Sequence, residues 1–267
     1  MSDVKVETYY RDHWIDIEAD RFERYLQMFR VTDQNRAIYF DPLGARPGET
    51  IVDFGCGPGD VSLELAKVVG SGGFVHGCDL NVELLDTARQ RAQQMGLAHL
   101  VQFHHVTDAT IPLPDASVDR VVFKSVLLYV PDAAATIREA YRVLRPGGAV
   151  VCQDIDFWLT ACTAFTPVEW RTFQDAVRPA FSDPNIGRHL RGHLATAGFR
   201  DVATNVTAFV DDRGVFIHTL RNFIGYARAV KTLSEQQLAD MSNKAVQAID
   251  DGTWLFLMNF FQVNGTR

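Results

Sequence analysis

Between residues 50 and 60 the chain runs from a short apolar segment, Thr50-Ile51-Val52-Asp53-Phe54, through Gly55-Cys56-Gly57-Pro58-Gly59 into the polar residue Asp60. This stretch constrains the fold more than any other. Glycines let the backbone turn tightly and come close to a ligand. The residues that follow, Asp60–Val69, place Val61, Leu65 and Val68 on one helical face. A strand therefore turns sharply into a helix, and the helix N-terminus offers unpaired N–H donors at the turn.

The alternation continues downstream. Segments 72–80, 100–106, 117–123 and 149–155 read as strands. Segments 81–95 and 132–144 carry helical stripes, the first through Leu85, Ala88, Ala92 and Met95. Gly96 ends one helix and Pro146-Gly147-Gly148 ends the other. Strand and helix in alternation predict a doubly wound, mostly parallel sheet with right-handed crossovers. Ligands of such sheets bind beyond the carboxyl ends of the strands.

The flanks have a different character. Residues 1–49 read as helical, with Tyr25, Met28 and Phe29 among charges. Residues 156–199 read as a helical insertion rich in aromatic residues. Segment 200–210 alternates like a strand, 214–249 returns to helix, and 254–263 is a strongly β-prone last strand. No repeat or Gly/Ser linker divides the chain. The expectation is one α/β domain over 1–267, with a seven-stranded Rossmann-like sheet whose last strand is antiparallel.

The turn also narrows the chemistry. The dinucleotide fingerprint requires G-x-G-x-x-G. Here its third glycine position holds Asp60 and the extra glycine comes one residue early, at Gly59. That pattern suits a nucleoside cofactor without a pyrophosphate better than NAD. Asp79 closes the second strand, where a carboxylate can accept both ribose hydroxyls. Asp108 follows the third strand, placed to accept from an exocyclic amine.

Together DFGCGPGD, CDLN (Asp79, Leu80), TDA (Thr107, Asp108, Ala109), PLPDASVDRVVF and REAYRVLRPGG resemble the class I S-adenosylmethionine-dependent methyltransferases. The nearest likeness is to small-molecule enzymes of the ubiquinone/menaquinone-biosynthesis type. The order and spacing of the motifs carry the resemblance over residues 45–155. It implies S-adenosylmethionine as cofactor, with Asp53 and the backbone from Gly55 through Cys56 and Gly57 to Gly59 along its methionine part. It places Asp79 on the ribose, Leu80 against the adenine, and Thr107, Asp108 and Ala109 around the adenine amine. Lys124 and Ser125 would face the methionine end, and Tyr10 would close over it. Lys124 also reads as a solvated loop residue.

The implied reaction is methyl transfer to a small, apolar or aromatic molecule by in-line displacement. Using the cofactor for a non-methylating reaction such as intramolecular cyclisation is the alternative. The fifth strand runs out into Asp154-Ile155-Asp156-Phe157-Trp158, so Asp156 and Trp158 are substrate-site candidates, or else a loop acid and a packed indole; Asp156 and Tyr129 are the catalytic candidates. Tyr129, in SVLLYV after the fourth strand, either contacts substrate or packs. Many relatives carry a His near this position and this chain does not. The resemblance implies that residues 1–49 form a lid, 50–155 the cofactor-binding core, and 156–199 with 211–253 a helical substrate cap, whose substrate side Phe223 and Tyr226 would line.

Other classes fit poorly. Net charge is −7, from 26 Lys+Arg against 33 Asp+Glu, which disfavours nucleic-acid binding. KSVLLYV does not match the Asn/Asp-Pro-Pro-Tyr of DNA and glutamine methyltransferases. No Tyr-x-x-x-Lys pair supports a dehydrogenase. His189 and His193 stand four apart in RHLRGHL without the Glu of H-E-x-x-H, and His104 and His105 face opposite sides of a strand, so no metal is expected. Cys56, Cys78, Cys152 and Cys162 have no framework spacing and read as reduced thiols. The first residues lack the apolar run of a secretory signal and no segment is long enough to span a bilayer. These features predict a cytoplasmic monomer or homodimer acting on a small molecule.

Overall fold

The computed structural model describes residues 4–28, 31–33 and 36–267. Phe29 lies outside the described residues.

Five strands run parallel: β1 (Thr50–Phe54), β2 (Phe74–Asp79), β3 (Val101–His105), β4 (Val118–Lys124) and β5 (Leu144–Ile155). They are followed by β6 (Ala161–Cys162), β7 (Arg200–Asp211) and β8 (Phe256–Thr266). The order is β3-β2-β1-β4-β5-β8, with β7 antiparallel on the outer side of β8. β8 is itself antiparallel to β5. The sheet is therefore the expected Rossmann-like one with an antiparallel end. The two residues of β6 pair with Phe256 and Leu257 of β8, beyond the end of β5. They make an eighth strand without widening the sheet.

Burial follows position. β1 lies between β2 and β4, and Ile51, Val52, Asp53 and Phe54 are all buried. That is the pattern of a strand covered on both faces. β7, at the edge, is mostly exposed and is rich in Val and Thr. β8 alternates buried and half-buried positions over most of its length.

Ten helices complete the described chain: α1 (Tyr9–Ile15), α2 (Ala19–Met28), α3 (Arg36–Tyr39), α4 (Asp60–Val69), α5 (Val82–Gln94), α6 (Ala133–Val143), α7 (Pro167–Val177), α8 (Ile186–Ala197), α9 (Ile217–Ala229) and α10 (Glu235–Asp250). Local sequence sets their starts. The Asn81 side chain accepts from Leu84 N at 2.8 Å to cap α5, and Asp132 accepts from Ala135 N at 2.9 Å to cap α6. Thr166/Glu169 and Ser234/Gln237 form capping boxes for α7 and α10.

The helices after β5 divide in a way the sequence did not show. α8 packs on β5, β7, β8 and α6, so it belongs to the helical layer of the sheet. α7 packs on α9, α9 on α10 and α2, and α1 on the short turn Arg178–Ala180. The N-terminal helices therefore meet the late insertions above the strand ends. Trp254, expected inside the last strand, precedes β8 and donates its indole N–H to Asp211 Oδ2 at 3.0 Å. All four cysteines are free and buried. Among the described residues no helix is long and apolar enough to cross a membrane.

Candidate active site

A cavity of about 840 Å³ opens at the carboxyl ends of β1, β2, β3 and β4. Its floor is the turn after β1. Gly55, Gly57 and Gly59 have φ of +79°, +50° and +81°. A Cβ at Gly55 would stand 2.4 Å from Val126 Cγ2, whereas at Gly57 it would meet nothing within 4 Å. Gly55 is therefore required by packing, and Gly57 leaves open space facing the cavity. Gly59 is not among the lining residues. Its Cβ would come within 2.9 Å of the Ala88 Cβ, so its lack of a side chain serves the packing of α4 on α5.

Asp79 braces this turn. Its Oδ2 accepts from Gly57 N at 2.7 Å and its Oδ1 from Asn81 N at 2.9 Å. A carboxylate has about four lone-pair sites. Backbone N–H groups thus take up part of that capacity. Burial raises the Asp79 carboxyl above its ordinary range, and its backbone N–H partners oppose the shift. Asp53, on β1, accepts from Ser62 Oγ at 2.6 Å; burial pushes it up to about 6, against Ser62 and the nearby Lys124 ammonium. Lys124 is pulled down by desolvation while Asp53 and Asp154 hold it charged. It is half-buried at the end of β4, lining the cavity beside these carboxylates.

Leu80, Thr107, Asp108, Ala109 and Ser125 also line the cavity, as do Cys56 and Tyr129. Asp108 is exposed at the rim and accepts from Thr110 N at 2.8 Å, which lowers its carboxyl. Thus the sequence-predicted cofactor residues converge on one space, apart from Gly59 and Tyr10. Tyr10 sits one turn before Trp14 on α1; Arg11, Trp14 and Ile15, at helical spacing, form the lining face. The Asn81 side-chain amide donates to Trp14 O at 2.8 Å, tying the end of α1 to the strand that carries Asp79.

The far wall is aromatic. Trp14 lies 4.7 Å from both Tyr25 and Tyr129, centre to centre. The Tyr25 and Tyr226 hydroxyls are 3.1 Å apart. Behind them His13 and Arg21 are both buried. Arginine only donates, so the 3.2 Å contact from Arg21 Nη1 makes His13 Nδ1 the acceptor, and Nε2–H faces Ala180 O at 3.3 Å. Burial and Arg21 hold His13 down to about 3, so it stays neutral. Burial, with Tyr226 and Asp154 nearby, raises the Tyr129 phenol well above its usual range. The Trp14 indole N–H is buried with no hydrogen-bond partner.

Four expected substrate or catalytic positions lie outside the cavity lining. Asp156 is fully buried and caps the turn Phe157–Leu159, accepting from Trp158 N at 3.2 Å. Its other oxygen pairs with Arg188. Both of its oxygens are thus engaged. Trp158 stacks under Arg171, with the guanidinium 4.1 Å from the ring centre. Phe223 and Tyr226 are buried on α9, in the layer supporting Tyr25 and Tyr129. The sequence reading missed Tyr25 as a wall residue and missed the His13–Arg21 pair. Helical spacing of Tyr9, His13 and Trp14 was the available signal, without its destination.

Comparison with known proteins agrees with this geometry. The 2-phytyl-1,4-naphtoquinone methyltransferase of Synechococcus elongatus is 37% identical over 111 residues, 42% of this chain and 48% of that protein. The demethylmenaquinone methyltransferase of Lactobacillus johnsonii is 34% identical over 134 residues, 49% of this chain and 55% of that protein. The match thus spans about half the length of these curated relatives. A SAM-dependent methyltransferase from Aquifex aeolicus shares the fold, with TM-score 0.55 and 17% identity, over 93% of this chain and 99% of that one. The model of the family described as "Methyltransferase domain" matches residues 45–183, just over half of the 267. The chain belongs to this methyltransferase-domain family, of the class I, S-adenosylmethionine-dependent kind.

Proposed function

We propose that the chain transfers a methyl group from S-adenosylmethionine to a small, ring-bearing, apolar acceptor, of the kind named for its naphthoquinone-methylating relatives. One observation carries the reading. A single cavity joins a nucleoside-binding end, at Asp79 and the glycine turn, to an aromatic end formed by Trp14, Tyr25 and Tyr129.

The residues present fit the cofactor. Asp79 keeps two acceptor sites for ribose hydroxyls, and Gly57 leaves the space that a nucleoside close to the backbone needs. Asp108 at the rim accepts from the adenine amine, with Leu80 against the ring. Asp53 faces the methionine ammonium, with Lys124 and Ser125 beside that end. Bound there, S-adenosylmethionine supplies a methyl group already activated on a positive sulfur.

The protein's share is positioning and desolvation, which can be worth about 7–11 kcal/mol when reactants are held in line. The faces of Trp14, Tyr25 and Tyr129 favour a positive charge nearby, at about 0.5–2 kcal/mol each. They also exclude water from an apolar acceptor. The unpartnered Trp14 N–H supplies a donor for an acceptor oxygen, which fits a quinol better than a plain hydrocarbon. α1 and α2 serve as the lid; α7, α9 and α10 form the substrate cap.

Incubation with methyl-labelled S-adenosylmethionine and a demethylated naphthoquinol tests the proposal. S-adenosylhomocysteine and an acceptor carrying the label are expected. Methylthioadenosine instead would indicate cyclisation. Cofactor binding without labelling of any quinol, phenol or enol acceptor would overturn the acceptor class.

A further inference from the structure

Outside the cavity lining, α8 carries His189 and His193 one turn apart, and Asp183 stands in the loop just before the helix. One ligand atom from each of the three lies within 4.8 Å of the others. Asp183 Oδ2 meets His189 Nδ1 at 2.7 Å, while its Oδ1 accepts from Asn185 N at 2.9 Å, which fixes the carboxylate's orientation. Asp183 and His193 are half-buried and His189 is exposed, so the group is open to solvent. None of the three lines the cavity.

We propose that Asp183, His189 and His193 form a binding site for one divalent transition-metal ion, with Zn²⁺ the best match. Two imidazoles and one carboxylate suit zinc, whereas magnesium and calcium prefer all-oxygen ligand sets. In a tetrahedron with bonds of about 2.0–2.2 Å, ligand atoms stand ~3.3 Å apart. Asp183 Oδ2 and His189 Nδ1 stand 2.7 Å apart, and the three ligand atoms all lie within 4.8 Å of one another. Small side-chain rotations therefore bring all three onto one ion, with water in the fourth position. The i, i+4 histidine pair alone offered two ligands; the fold supplies the third from a loop.

The site acts as a clamp. Ser182 N and Asp183 N both donate to Leu128 O, the residue before Tyr129, and Phe157 N donates to Pro184 O. An ion joining Asp183 to α8 would fasten the loop that braces this wall of the cavity. The clamp does not depend on what the cavity binds.

The test uses tag-free protein stripped with a chelator, titrated calorimetrically with Zn²⁺ and, separately, with Mg²⁺. One equivalent of Zn²⁺ should bind, with no matching heat from Mg²⁺. His189→Ala, His193→Ala and Asp183→Asn should each weaken Zn²⁺ binding by more than the about 10–100-fold that loss of an outer partner costs. Co²⁺ substitution should give the visible bands of a tetrahedral nitrogen/oxygen site, lost in the histidine variants. These side chains are not core residues, so the metal-free variants should melt with the wild type. Absence of stoichiometric Zn²⁺ binding, or binding unchanged in the folded His189→Ala and His193→Ala variants, would overturn the proposal.

Discussion

Replacing Asp79 by alanine tests the cofactor end most sharply. The carboxylate already receives two backbone N–H bonds, from Gly57 at 2.7 Å and Asn81 at 2.9 Å. Two acceptor sites are left for the 2′ and 3′ hydroxyls. Hydrogen bonds to a charged group contribute about 1.5–3 kcal/mol each. Losing two at the lower value removes about 3 kcal/mol, roughly 150-fold in Kd. Alanine also frees two backbone donors, so the turn itself is disturbed. A second ligand separates the effects. S-adenosylhomocysteine should bind Asp79→Ala about 150-fold more weakly than wild type by calorimetry. An analogue lacking both ribose hydroxyls should bind the two proteins within about threefold, the margin expected where no interaction is shared. Equal losses for both ligands would mean that the turn had collapsed and that Asp79 does not hold the ribose. Unchanged affinity for the parent ligand in a folded variant would remove Asp79 from the site.

Further expectations follow from neighbouring residues. Gly57→Ala should fold, at a strain of about 1–2 kcal/mol for a left-handed alanine, yet bind S-adenosylhomocysteine poorly; Gly55→Ala should lose the fold, because its Cβ meets Val126 at 2.4 Å, and thermal melts of the pair check this. Asp53 has a folded pKa of about 6, above its ordinary 3.8, so the native state holds the extra proton between these values and stability falls as pH rises through that window. A positively charged ligand favours the ionised form, so cofactor affinity should fall as pH drops below about 6, and Asp53→Asn should flatten that dependence. Asp156→Ala should lower stability by about 1–3 kcal/mol, through the lost cap and the lost Arg188 pairing, without changing cofactor Kd. Trp14→Phe should leave cofactor affinity near wild type and reduce labelling of the quinol acceptor, measured by initial rates.

The two halves of the cavity differ in how far the sequence discloses them. Asp53, the glycine turn, Asp79 and Asp108 sit at the ends of successive strands, so the alternation of strand and helix fixes their meeting place. Trp14, Tyr25 and Tyr129 come from α1, α2 and the turn after β4. Only packing of the N-terminal helices on α9 joins them, and no local period encodes that. Asp156 shows the opposite failure. Its place where β5 runs out offered it as a site acid, but the chain turns immediately, and the carboxylate caps Trp158 and pairs with Arg188. The cap was half visible for a related reason. Both α7 and α8 carry amphipathic stripes, and only the sheet contact of α8 shows which one belongs to the scaffold.

A crystal structure with S-adenosylhomocysteine bound tests the central claim most directly. The account predicts one molecule in the cavity, with its ribose hydroxyls on Asp79, its adenine amine toward Asp108 and its sulfur facing the wall of Trp14, Tyr25 and Tyr129. A ligand seated elsewhere, or with its ribose turned away from Asp79, would contradict it.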